Sequence, residues 1–185
     1  MRKKLLGIVI LAVSFILVSV TFLATAQVKN QPIPSKTPAK QPAPQTANNI
    51  SQAAYKSGVR TCAGRINQIT NFLSAGVNAG YMMFFSKTNP DQQMASVSME
   101  IPVNNNTAYA SVSVAPGQAS YCGGMYETVV YWPQNCAAVE AQNFGSLKKG
   151  KMLSKNISVR DGGDVKVFLM PAGAGCVSIK KEMVR

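Results

Sequence analysis

The sequence predicts an α+β fold: one long N-terminal helix packed on an antiparallel sheet of about six or seven strands, with a second short helix and disulfide staples. Three observations predict it. Apolar residues recur at alternating spacings of four and three over residues 49–78. After Gly80 the pattern changes to strict alternation interrupted by turn residues. Four cysteines stand behind a cationic, apolar leader, an arrangement in which sulfur atoms pair rather than react.

Arg2, Lys3 and Lys4 open the chain, and an uncharged run continues to Ala26. Ala24-Thr25-Ala26-Gln27 puts small residues where a signal peptidase reads, so residues 1–26 read as a signal peptide cleaved after Ala26. The run from Leu5 to Leu23 is also long enough to span a bilayer, for which about 18 apolar residues suffice. Retained, it is an N-terminal membrane anchor, and the basic residues before it leave the rest of the chain outside the cytoplasm. Both routes predict export: a periplasmic or secreted protein, or one anchored in the inner membrane. Membrane contact is expected only through that run, if it is uncleaved.

Residues 27–48 carry Pro32, Pro34, Pro38, Pro42 and Pro44 with Lys29, Lys36 and Lys40 among polar residues. Proline lacks a backbone donor and little here is apolar, so an extended, solvated linker is expected. Anchor, proline-rich spacer and small terminal domain together are similar in layout to the TonB and TolA adaptors that span the periplasm. That resemblance implies an adaptor subunit of an envelope machine and assigns no residues. The outline also resembles the pilins, but the prolines at 32–44 break the helix pilins keep continuous, and their Phe-x-x-x-Glu start is missing.

Residues 49–185 suffice for one domain. Its first element is the helix over 49–78, with Tyr55, Val59, Cys62, Ile66, Ile69 and Leu73 on one stripe, Asn49 as N-cap, and Gly76 and Gly80 at its far end. Gly58 and Gly64 each cost about 1 kcal/mol against alanine, so the helix depends on packing. Strands follow at 81–86, 93–103 and 107–115. Ala95, Val97, Met99, Ile101 and Val103 share one face, as do Ala108, Ala110, Val112 and Val114. Asn104-Asn105-Asn106 marks a hairpin between the last two. Residues 125–132, rich in Tyr, Thr, Val and Trp, read as a strand that Pro133 ends. A short helix over 133–143 is expected next. Strands at 151–160 and 165–170 flank Asp161-Gly162-Gly163-Asp164, and a last strand covers 176–181.

Cys62, Cys122, Cys136 and Cys176 form an even set, predicting two disulfides. Cys122 and Cys136 flank a strand that spans roughly 30 Å if straight, while bridged Cα atoms lie within about 7 Å; that pairing is disfavoured. Of the two connectivities left open, the reading leans to Cys62–Cys122 with Cys136–Cys176. Cys-x-x-Cys and the paired spacing of a zinc site are both absent, so no metal or cofactor is expected.

The chain contains no histidine, which excludes Ser-His-Asp triads, Cys-His dyads and His-ligated metals. Carboxylates are few. Glu100 and Glu127 lie on predicted strands, and Ser154-Lys155 and Ser178 with Lys180 offer the one serine-based chemistry that needs no imidazole. A histidine-free hydrolase acting on envelope material is therefore the runner-up. Asp161 and Asp164 read as turn residues.

Charge is more informative. The net charge is +12, and Lys148, Lys149, Lys151, Lys155 and Arg160 cluster between the second helix and the following strand. Such a patch attracts anionic polymers by Coulomb forces. Basic and aromatic residues do not interleave as base stacking requires, so nucleic acid is not the expected partner. Tyr121, Tyr126, Tyr131 and Trp132 gather in one stretch as a candidate protein or sugar contact. The leading expectation is a non-enzymatic exported bacterial envelope or secreted protein that binds a partner protein or an anionic envelope polymer through this basic surface.

Overall fold

A computed structural model describes residues 47–103, 106–118 and 121–185. The expected leader, nearly all of the expected linker, and Asn104 and Asn105 of the expected hairpin turn lie outside the described residues.

The described chain is mostly β. Three short helices, α1 (Asn49–Lys56), α2 (Ala63–Ser74) and α3 (Cys136–Asn143), accompany eight strands. These are β1 (Tyr81–Phe84), β2 (Ala95–Val103), β3 (Asn106–Pro116), β4 (Cys122–Trp132), β5 (Lys148–Lys149), β6 (Ser158–Asp161), β7 (Val165–Ala172) and β8 (Gly175–Val184). All pair antiparallel in one sheet of order β1-β2-β3-β4-β8-β7-β6-β5. Two four-stranded meanders therefore meet at β4 and β8, and α3 is carried by the connection between them.

This overturns the α+β expectation: the predicted N-terminal helix does not exist as one element, and the sheet has eight strands rather than six or seven. The break lies at Ser57–Gly58. Gly58 adopts φ +95°, and a Cβ there would stand 2.6 Å from Pro90 Cγ. A tight turn held under Pro90 admits only glycine, so the helical stripe is cut in two. Asp91, in the 3-10 turn Pro90–Gln92, locks the break from outside. Its carboxylate accepts from the backbone N–H groups of Arg60 (2.7 Å) and Thr61 (2.6 Å) and from the Thr61 hydroxyl (3.0 Å). The Thr61 N–H above all holds that carboxyl below its usual range. Tyr55, placed on the buried stripe by spacing, is 56 % exposed because α1 turns away. Asn48, not Asn49, caps α1 by accepting from Ser51 N, and α2 ends at Ala75 in the left-handed region.

Other boundaries differ as well: β1 ends two residues earlier than expected, β4 begins at Cys122 rather than 125, and β8 runs on to Val184 rather than ending at 181. The predicted strand at 151–160 survives only in β6, because the Leu153 N–H closes a loop onto Ile157 O at 3.0 Å. The helix expected from Pro133 starts three residues later, where the Asn135 side chain accepts from Ala138 N.

The helices cover one face of the sheet. α2 lies against β2, β3 and β4, and α3 against β7 and β8. Val59, between α1 and α2, and Ile66 and Ile69 of α2 share one buried cluster with Val97, Met99, Ala110, Val112 and Tyr126 of the sheet, and α1 packs on α2. Under α3, Val139 and Phe144 pack on Val167, Leu169 and Cys176. Trp132 touches both clusters. Cys62–Cys122 fastens the α1–α2 connection to the start of β4 with Cα atoms 5.3 Å apart. Cys136–Cys176 fastens α3 to β8 at 4.9 Å.

Candidate functional site

The basic residues are gathered by a hairpin at one end of the sheet. From α3 the chain passes through buried Phe144, whose carbonyl accepts from Leu147 N at 3.0 Å, and enters β5. β5 pairs with β6 through Lys148 opposite Asp161 and Lys149 opposite Arg160. Gly150 N donates to Val159 O at 2.9 Å, extending the ladder one step toward the tip.

Arg160 belongs to the scaffold of this edge rather than to its free charge. Its side chain, 15 % exposed, pairs with Glu140 of α3 and donates to Leu147 O at 3.3 Å. It thus clasps the hairpin onto the helix. Asp161, on the other face of β6, pairs with Lys166 and accepts from Gly163 N at 2.8 Å. The Lys166 ammonium, aided by that N–H, lowers its carboxyl pKa. Lys148, Lys149, Lys151 and Lys155 are exposed, and among the described residues none of the four closes an ion pair. No acidic residue occurs between Glu140 and Asp161. Four of the five predicted cations therefore share one solvent edge, and the fifth braces it.

The aromatic stretch is not gathered. Alternation along β4 sends Tyr126 and Trp132 toward the helices and Tyr131 to the opposite face. Tyr121 stands before the far end of the strand, with the Arg65 guanidinium 6.0 Å from its ring. Tyr126 is 1 % exposed and serves a different arrangement. It donates to Glu182 Oε2, and Lys180 Nζ lies 2.9 Å from its hydroxyl and 3.0 Å from that carboxylate. Burial, then the hydrogen bond to Glu182 and its charge, push the Tyr126 phenol well above its usual pKa. The sequence reading missed this cluster. Its signal was Lys180-x-Glu182, two charges sharing the face of a strand.

The candidate chemical pairs are separated or committed. Glu100 and Glu127 lie on β2 and β4 with β3 between them, and Glu127 pairs with Lys181 at 2.8 Å. Ser178 accepts from Trp132 Nε1 at 2.8 Å, beside the Lys180 engaged above. Ser154 and Lys155 sit in the exposed hairpin loop. No cluster among the described residues holds three side chains able to bind a metal ion.

Among the described residues, no helix covers the opposite face of the sheet. Register aligns Tyr109, Val129, Ile179, Phe168 and Val159 in one row across five strands. The next row runs Ser111, Glu127, Lys181, Lys166, Asp161 and Lys148. An apolar band thus lies beside a charged one, and Lys148 joins this face to the basic edge.

Compared with known proteins, the chain matches no family model, no curated protein and no solved structure.

Proposed function

We propose that this chain is a non-enzymatic, exported bacterial envelope or secreted protein whose stapled sheet presents a basic edge to an anionic partner. One observation carries the reading: Lys148, Lys149, Lys151 and Lys155 are exposed on one braced hairpin, with no carboxylate in the sequence between Glu140 and Asp161. Net positive charge on a fixed edge, with Lys148 partly offset by Asp161 across the β5–β6 pair, draws polyanions from solution. The two disulfides support an oxidising compartment. N-terminal sequencing of the mature protein decides between a cleaved leader and an anchored one.

The test is retention on heparin as a salt gradient is applied. K148Q/K149Q/K151Q/K155Q should elute far earlier than the wild type, with affinity lower by at least about tenfold. Equal elution of the two proteins removes the basic edge as the binding surface.

A second reading is a partner-protein contact on the open face, favoured by the apolar row from Tyr109 to Val159 and by Tyr131, which is 58 % exposed. Partner capture that survives the lysine substitutions and fails in Y131S would favour this face over the edge.

A further inference from the structure

We propose that the tip of the β5–β6 hairpin docks on an anionic phospholipid bilayer. Met152 and Leu153 enter the interface while Lys148, Lys149, Lys151 and Lys155 meet the headgroup phosphates. The proposal rests on the basic-edge reading above and names its anion.

Met152 is 47 % exposed and Leu153 62 %. Single exposed apolar residues are ordinary, but these two are consecutive, stand on a loop leading from the sheet edge, and are bracketed by Lys151 and Lys155. The tip is held rather than loose: Gly150 N bonds Val159 O, and Leu153 N bonds Ile157 O. At its base the Arg160–Glu140 pair ties the hairpin to α3. Strand alternation puts Lys148 and Lys149 on opposite faces, so they flank the edge on both sides. An edge-on approach brings both toward a plane of phosphates. A soluble polyanion satisfies the lysines and leaves the apolar pair in water. A bilayer accepts both, because interfacial binding combines buried apolar area with attraction to anionic lipid.

Ser154 is exposed beside the pair, so S154W places an indole at the tip. The full chain carrying S154W is mixed with vesicles of phosphatidylcholine alone or with phosphatidylglycerol, each containing brominated lipid that quenches indole on contact. The wild type supplies the Trp132 background, and any insertion by the leader is common to all variants. Quenching of the added indole is expected only with phosphatidylglycerol. Each lysine changed to glutamine should raise the anionic lipid required by about fivefold. M152S/L153S should raise it by about tenfold or more, while leaving heparin retention unchanged. Absent quenching with heparin retention intact overturns the lipid assignment and leaves the basic edge standing. Loss of both overturns the two together. Equal quenching in phosphatidylcholine overturns the role of the lysines.

Discussion

Gly58 holds φ +95° with the Pro90 ring 2.6 Å from where a Cβ would stand, so a side chain there meets both backbone strain and a clash. G58A should lose about 1–3 kcal/mol, read as a lower urea midpoint. G64A is the counterpart: nothing lies within 4 Å of its added Cβ, inside α2, and it should gain up to about 1 kcal/mol. Tyr126 carries a prediction in pH. Its phenol is raised in the fold by burial and by Glu182, whereas in the unfolded chain it ionises near pH 10. The unfolded state therefore releases a proton first. The stabilisation is complete below about pH 10 and declines as pH rises beyond it. In an alkaline titration followed by tyrosinate absorbance, the contribution lost in Y126F should appear only as the chain unfolds.

α3 is a short helix whose one buried residue within its span is Val139. Three things hold it: the apolar contact of Val139 and Phe144, the Arg160–Glu140 pair, and the disulfide to β8. The bond closes a loop of 40 residues, which by chain entropy is worth about 4 kcal/mol. C136S/C176S should lose roughly that amount in urea. Amide exchange should rise most over 136–143, with β2 to β4 less affected. Uniform loss of protection would show that α3 is not the part this bond holds. Among the elements, β2 and β3 were the most legible from sequence. Ala95, Val97, Met99 and Ile101 alternate inward, as do Ala108, Ala110, Val112 and Val114, because pleating alone dictates which side chains share a face. The strand expected at 151–160 was not legible. Its residues do not alternate, and the Leu153–Ile157 bond that makes the loop is invisible to a periodicity argument.

Across the whole molecule, two helix-covered cores share one sheet, and the seam between them at β4 and β8 is partly polar. Tyr126, Lys180 and Glu182 occupy that seam, and Trp132 bridges the apolar clusters on either side. Among the described residues the helices cover one face and leave the other to solvent, as antiparallel sheets allow, and the basic hairpin extends from the sheet edge beyond its Arg160–Glu140 tie to α3. The five cations were readable as a cluster in the sequence, since nearness along the chain suffices for that. That Arg160 braces the edge while four lysines remain outside it depends on Glu140, twenty residues away. Composition, the apolar alternation of β2 and β3, and the absence of imidazole belong to local chemistry and follow from residue order alone. The broken helix, the eight-strand order and the buried Tyr126–Glu182 contact depend on groups far apart in the chain. Gly58 meets Pro90, and β8 lies beside β4, only once the chain has closed, and the free energy of such contacts is set by that closure.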